Sequence, residues 1–475
     1  MIRYTVGWLL LFEAAFLSIP MFFGVFYGES AATAFLISLL ICVAVGALSV
    51  IKKPKNTAFY AREGFIIVSL SWITLSLFGA LPFVLSGVTE SFVDALFESA
   101  SGFTTTGASI FREVEWLPRS IIVWRSFTHW IGGMGVLVFI MAFLPLAGGQ
   151  NMHIMRAEST GPDVSKLVPK VKNTAIILYG IYLALTVIQF VTLLISGMSA
   201  FDSINTALST AGTGGFGFKN DSFASATPAQ QIIVTVFMLI FSVNFNSYYL
   251  VLKCKLRDAF NTEVRFFFTV VIAVSAIITF NLFTSMEHIT SIGDAIRKAA
   301  FTVASLISTT GFTVDNFNLW PSLSQTLLIL IMFIGGCAGS TAGGIKCSRV
   351  VILIKGMLRE LRRIIHPRQV KKITLDSKPV DHEVVRSVNA YIVTLLVLFV
   401  GSLVIVSFDN YDLTTSFTSV VATINNVGPG LGAAYSNFAD FSILSKLVFV
   451  FDMLAGRLEL FPMLILFSPF TYRKS

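Results

Sequence analysis

Charge is scarce in this 475-residue chain: Asp, Glu, Lys and Arg together make up 13% of it, against 55% hydrophobic residues and a mean hydropathy of +0.79. So little polar surface cannot solvate a globule of this size, which excludes a soluble protein and implies a polytopic membrane protein. Cysteine is scarcer still. Cys42, Cys254, Cys337 and Cys347 fall in or beside apolar spans with no CxxC or His-Cys spacing, so no disulfide framework and no zinc site is implied. Walker and dinucleotide fingerprints are missing too, so any nucleotide control must come from another polypeptide. No base, nucleophile or metal constellation accompanies His129 or the cysteines, which leaves an intramembrane enzyme without a catalyst.

What is abundant is long apolar sequence. Spans of roughly 20 residues, enough to cross about 30 Å of hydrocarbon, begin near Tyr4, Ala31, Gly64, Ser120, Thr174, Gln230, Arg265, Ser322, Val388 and Ser442, which predicts ten crossings. The first has no small-residue cleavage site and reads as a retained helix, not a signal peptide. Basic residues in short loops stay on the cytoplasmic side. With the N-terminus inside, each even crossing returns to a basic cluster: Lys52, Lys53, Lys55 and Arg62; Arg156, Lys166, Lys170 and Lys172; Lys253, Lys255 and Arg257; the run from Arg349 to Lys372; and Arg473 and Lys474. Both termini are then cytoplasmic. The net charge of +8 therefore fits topology and anionic lipid headgroups, not nucleic acid. Between Lys355 and Val370 the basic residues alternate with Leu358, Leu361, Ile364 and Ile365, either as an amphipathic interfacial helix or as a charged connector.

One short glycine-bearing segment recurs four times, as Thr104–Gly107, Ser209–Gly212, Ser308–Gly311 and Asn425–Gly428. Each follows an apolar span and a stretch of about ten residues that opens at an acidic residue: Asp94, Asp202, Asp294 and Asp412. An Asp before an apolar run is a helix N-cap signal. About ten residues make roughly 15 Å of helix, too short to cross, so each stretch is predicted to be re-entrant, with its negative C-terminal end at the glycine segment. Four such ends around one axis, with glycines that let successive carbonyls face inward, make the plan of a cation-selective pore. A single glycine in a re-entrant turn would read as a turn residue only; recurrence in four equivalent places favours the pore.

The segments FTTTGAS (103–109), STAGTGGFG (209–217), STTGFTV (308–314) and NNVGPGLG (425–432), with GGCAGSTAGGIK (335–346) and GRLELFP (456–462), resemble the Trk and Ktr potassium-uptake family, within the Trk/Ktr/HKT superfamily of potassium transporters. The resemblance covers nearly the whole chain. It implies an all-α polytopic fold of four pseudo-symmetric membrane-pore-membrane units around one central pore: residues 56–150, 151–260, 261–370 and 371–475, behind an N-terminal peripheral helix pair at 1–55 that fits the TrkH-type branch. The implied potassium filter is Thr105, Thr106 and Gly107; Thr210, Ala211 and Gly212; Thr309, Thr310 and Gly311; and Asn426, Val427 and Gly428. In the second segment Gly214 and Gly215 follow directly, so a shifted register is also open, and the fourth departs from the threonine-rich form. Related transporters that prefer sodium often have Ser where this chain has Gly107.

The resemblance also makes 335–346 an intramembrane gate loop, carried by Gly335, Gly336, Gly339, Ser340, Thr341, Gly343, Gly344 and Lys346. Such glycine density disfavours helix, and broken backbone at membrane depth needs protein or a wet cavity around it. Close helix packing through small residues is the plainer reading. Arg457 in the last crossing would face this loop by resemblance; an ion pair with Asp452 or Glu459 is the plainer role. Arg125, His129, Asn244 and Asn246 are further polar residues in spans; His129 reads as a packing histidine, and the Asn pair as a kink or a vestibule lining. Implied partners are a second copy of the chain as a homodimer and a cytoplasmic nucleotide-binding regulatory subunit of the TrkA type. The expected location is the bacterial inner membrane, the transported ligand is K+, and no organic cofactor is expected. The competing reading is a secondary transporter that couples K+ to H+ or Na+; units that all begin and end inside favour a pore over inverted repeats.

Overall fold

The computed structural model describes residues 1–53, 61–133, 135, 171–286, 289, 291–368, 372–376 and 378–472. Lys55, Arg156, Lys166, Lys170, Lys371, Arg473 and Lys474 of the expected basic clusters lie outside them, as do the boundaries placed at 55, 150 and 370. Apart from a two-residue antiparallel pairing of Thr374–Leu375 with Lys378–Pro379, the regular structure described is helical.

Among the described residues six helices are long and apolar enough to cross a membrane. Two, Ile2–Phe26 and Ala31–Val50, form the N-terminal hairpin. Its helices approach closely because glycines face the contact: a Cβ on Gly46 would lie 2.9 Å from the Gly7 carbonyl oxygen. The hairpin packs on one side of the first unit, through Phe16 against Phe127 and Phe35 against Trp124. Much of its other face (Phe22, Val25, Leu36, Leu40) is exposed, as a peripheral pair requires. The other four are the outer helices of four successive units: Ala61–Gly79, Val171–Ile195, Thr262–Ser285 and His382–Val406.

Each outer helix is followed by a short one: Phe92–Phe103, Ala200–Ala211, Ile292–Ile307 and Leu413–Ile424. A 12-residue helix spans about 18 Å and cannot cross. The expected Asp N-caps hold only in the fourth unit, where Asp412 accepts from the Thr415 amide at 3.1 Å. That amide and the Thr415 hydroxyl hold its carboxyl below the ordinary Asp range, the hydroxyl contributing most. In the other three units the cap position belongs to a serine three residues earlier. Ser91 accepts from Asp94 N and Ser199 from Asp202 N, while Ser291 starts the third helix without a side-chain bond. Asp94, Asp202 and Asp294 therefore sit in the first helical turn, where they complement the helix dipole instead of capping.

The inner helices are where the ten-crossing reading needs amendment. Pro228–Phe241 and Phe245–Leu252 meet at 92°; Asn244 caps the second piece by accepting from Asn246 N at 2.9 Å, so the Asn pair marks a kink. Ser322–Ile334 and Cys347–Ile365 are separated by the glycine-rich loop. Ile443–Arg457 and Phe461–Phe467 are separated by Leu458, Glu459 and Leu460, the last two at positive φ. The first inner helix, Arg119–Gly133, is described only to that point. The Cys347–Ile365 helix continues through Lys355 with Leu358, Leu361, Ile364 and Ile365 exposed, which decides for a helix over an irregular connector.

Candidate functional site

The four short helices end identically. The amides of Thr104, Gly212, Ser308 and Asn425 reach the carbonyls of Ala100, Leu208, Ala304 and Val421. The next residues, Thr105, Thr213, Thr309 and Asn426, adopt φ of 57°, 54°, 57° and 55°. Those after them, Thr106, Gly214, Thr310 and Val427, donate five residues back to Ser101, Ser209, Ser305 and Ala422. This is a Schellman cap with its left-handed residue supplied by Thr or Asn instead of Gly. A β-branched residue there is strained, so three threonines in that conformation mark a backbone path the surroundings impose. Gly107, Gly215, Gly311 and Gly428 follow, with φ of 81°, 77°, 86° and 98°.

These glycines close a ring. A Cβ on Gly107 would strike the Gly214 carbonyl oxygen, one on Gly215 that of Thr310, and one on Gly311 that of Val427; one on Gly428 would lie 2.7 Å from that of Thr106. Each unit thus presses its glycine on the preceding-position carbonyl of the next unit, in cyclic order. The four dips share one centre, and any side chain at these positions would displace a ring carbonyl.

The same pattern corrects the second segment. Thr210, Ala211 and Gly212 belong to the end of the short helix, Thr210 bonding back to Thr206 O at 2.7 Å. The residues equivalent to Thr105, Thr106 and Gly107 are Thr213, Gly214 and Gly215, three later than the leading sequence reading. Three nearby glycines made the register ambiguous. A cue was present in serine six residues before the ring glycine: Ser101, Ser209 and Ser305 precede Gly107, Gly215 and Gly311 by that interval.

On one side of the ring lies a vestibule of about 370 Å³, lined among others by Gly107, Gly215, Gly311 and Gly428. Beneath its wall Arg125 and Glu98 form a buried ion pair at 2.7 Å. Arg125 also donates to Gly217 O and Ser109 Oγ, both at 3.1 Å, and stacks 4.2 Å from the Phe216 ring centre; Glu98 accepts from the Ile110 amide. His129 bridges Gly102 O through Nδ1 and Phe216 N through Nε2, which requires the neutral tautomer with its proton on Nδ1. These residues fasten the irregular segments leaving the first and second ring segments, the packing role expected of His129.

On the other side the glycine-rich loop fills the axis. Gly343 N donates to Thr309 Oγ1 at 2.7 Å and Gly344 N to Asn425 O at 3.1 Å, tying the loop to the ring. Thr341 N and Cys337 N bond to Phe241 O and Ser242 O at the break of the second inner helix. Positive φ at Gly335, Gly339 and Gly344 turns the chain, and Lys346, buried, donates to Ala342 O across the loop while Ser340 Oγ bonds Cys337 O. Gly336 packs its bare Cα against Ala342, where a Cβ would come to 2.6 Å. Arg457 reaches this loop: its guanidinium donates to Thr341 O at 2.8 Å and to Gly132 O and Gly133 O at the end of the first inner helix. Glu459 pairs with Arg349, and Asp452 accepts from Ser402 at 2.8 Å. One side chain thus joins the single-copy loop to the opposite wall of the bundle.

No group of three or more His, Cys, Asp or Glu among the described residues could hold a metal ion; the atoms the four ring glycines press on are backbone carbonyl oxygens. The architecture is that of a multi-pass membrane protein with four units of outer helix, short helix and inner helix about one centre, the inner helix being broken in the second, third and fourth. The chain belongs to the TrkH family of cation transport proteins, which matches residues 31–472, a family of transporters and not of enzymes. It is 35% identical to the Trk system potassium uptake protein TrkH of Escherichia coli, over all of this chain and 99% of that protein. It is 33% identical to the Trk system potassium uptake protein TrkG of the same organism, over 96% of this chain and 94% of that one. The crystal structure of the potassium transporter TrkH from Vibrio parahaemolyticus matches with a TM-score of 0.90 at 32% identity over 99% of both chains.

Proposed function

We propose that this chain takes up potassium across the bacterial cytoplasmic membrane, passing dehydrated K+ through the ring formed by the carbonyls of Thr106, Gly214, Thr310 and Val427 and their neighbours. The observation that carries this is the closure of the ring: four peptide oxygens held at fixed spacing by four glycines can replace the hydration shell of an alkali cation. The names of the relatives, potassium uptake proteins, point to the same cargo. The glycine-rich loop is the barrier below the ring, and Arg457 places a positive charge beside it and ties its closed position, through Thr341 O, to Gly132 O and Gly133 O of the first inner helix. The basic face is cytoplasmic, as are both termini, and carries the docking site for a nucleotide-binding regulatory subunit; the active form is a homodimer with one pore in each protomer. The unit boundaries given above belong to the same reading.

Flux into proteoliposomes measured with K+, Rb+, Na+ and Li+ is the test. K+ and Rb+ are expected to enter roughly tenfold faster than Na+ or more, and Gly107→Ser to reduce that ratio by pushing the Gly214 carbonyl out of place. Equal Na+ and K+ rates in the parent protein overturn the reading. Single-channel recording separates pore from carrier: steps of channel size are expected, whereas slow flux that requires H+ or Na+ would replace the pore with coupled transport.

A further inference from the structure

Glu263 lies in the first turn of the third outer helix, 9% exposed, and its carboxyl faces the glycine-rich loop. One oxygen, Oε1, accepts from Ala338 N at 2.7 Å and from Ser348 N at 2.9 Å. Ala338 lies in the first half of the loop, and Ser348 in the first turn of the helix after it, where amides have no partner within the helix. A single side chain from outside the loop thus fastens both its legs. Loss of the carboxyl would leave two buried donors unsatisfied, so the loop position seen here depends on it.

The residue before it leads to the surface. Thr262 donates both its amide and its hydroxyl to Asp376 Oδ1, each at 2.7 Å. Asp376 is exposed and sits between the two paired strands of the 374–379 hairpin. The hairpin is in turn fixed to the basic helix by Lys355 Nζ donating to Thr374 O at 2.8 Å and by buried Ile373. A short chain of hydrogen bonds therefore runs from an exposed hairpin, through the start of one outer helix, to the loop across the axis.

We propose that Glu263 is the latch of the glycine-rich loop, a positioning residue for permeation, and that Asp376 on the surface hairpin sets the latch through the N-terminus of the helix that carries it. The proposal rests on the loop being the barrier to flux. It identifies the hairpin as the place where force on the basic face reaches the loop: displacing Asp376 shifts Thr262, hence Glu263, hence Ala338 and Ser348.

The test uses the full chain in proteoliposomes without a partner. Glu263→Ala is expected to raise Rb+ flux roughly tenfold, the scale set by two buried hydrogen bonds lost from one of two states. Glu263→Gln, which keeps an accepting oxygen, should fall between. Asp376→Ala removes no core contact and should raise flux by roughly twofold to threefold. The K+/Na+ ratio should stay unchanged in all three, because the carbonyl ring is untouched. Cys337, fully buried in the loop, supplies a local readout, and Cys42, equally buried in the N-terminal hairpin, is the control, since a general loss of stability would expose both. In a Cys254→Ser background, which removes the exposed thiol, maleimide labelling located by mass spectrometry should spare Cys337 in the parent and reach it in Glu263→Ala. Cys337 protected in both overturns the latch. Labelling with unchanged flux supports the latch and overturns the loop as barrier. Should Glu263→Ala fail to assemble, Asp376→Ala decides: flux and protection both as in the parent overturn the proposal.

Discussion

The two halves of the axis obey different rules. In the ring, four segments of unlike sequence agree to within a few degrees, with φ of 57°, 54°, 57° and 55° at the left-handed residue. Below the ring the second, third and fourth inner helices share only the fact of being broken, and among the described residues the loop and Arg457 occur once each. Symmetry is kept where four backbones must touch each other and abandoned where one segment fills the axis. Even the ring is less than fourfold in its side chains. Thr104 pairs with Thr106 by hydroxyls at 2.8 Å, and Ser308 with Thr310 at 2.7 Å, whereas the second and fourth units have Gly212 with Gly214 and Asn425 with Val427 at these places. Asn426 compensates in the fourth unit: its amide donates to Thr106 Oγ1 and to Met453 O, both at 2.9 Å. What repeats is the backbone path, and each unit supports it with different side chains.

If that is so, the largest effect should come from a methyl group on the ring. Gly215→Ala puts a Cβ against the Thr310 carbonyl in a conformation that favours glycine, and flux should fall by roughly a hundredfold. Gly212→Ala is the counter-test. Its Cβ would strike the His129 backbone instead, so thermal stability should fall while the surviving flux keeps its K+/Na+ ratio. A changed ratio in Gly212→Ala with normal behaviour in Gly215→Ala would restore the earlier register of the second segment.

That register shows what the sequence could and could not reveal. The four dips and the broken third inner helix were legible because clustered glycine has few uses at membrane depth, whereas for Arg457 the chemistry marked only a costly buried charge and the resemblance placed it against the loop. The second segment was not, because Gly212, Gly214 and Gly215 all allow a turn, and only the amide from Gly214 to Ser209 shows where the helix stops. The caps failed for a related reason. Ser91 and Asp94, like Ser199 and Asp202, are spaced as a serine cap with an acid three residues on, and the acid is the more conspicuous member. Glu263 was passed over because a lone acid at the start of a span looks like an end-of-helix charge; nothing in its neighbours foretells that it meets residues 75 and 85 positions away.

The next effect, smaller than that on the ring, concerns the single-copy half. Arg457→Gln keeps a hydrogen-bond donor but cannot span Thr341, Gly132 and Gly133 together, and it removes a charge from beside the axis. Partner-independent Rb+ flux should rise roughly tenfold with the K+/Na+ ratio unchanged. A shifted ratio would mean that the two halves are not separable, and the contrast drawn above would fail.

The smallest effect lies where the halves meet. Thr309 belongs to the ring by its backbone, yet its hydroxyl accepts from Gly343 of the loop. Thr105, its equivalent in the first unit, is equally buried and its hydroxyl has no hydrogen-bond partner. Alanine at either position relieves the same crowding of a β-branched residue at positive φ, so strain cancels between the two variants. Only Thr309→Ala also unties the loop. We expect it to raise basal Rb+ flux by roughly twofold, and Thr105→Ala to leave flux as it was. Equal changes in both would place the effect in the ring itself, and the hydroxyl of Thr309 would then be a feature of the fourfold path with no hold on the loop below.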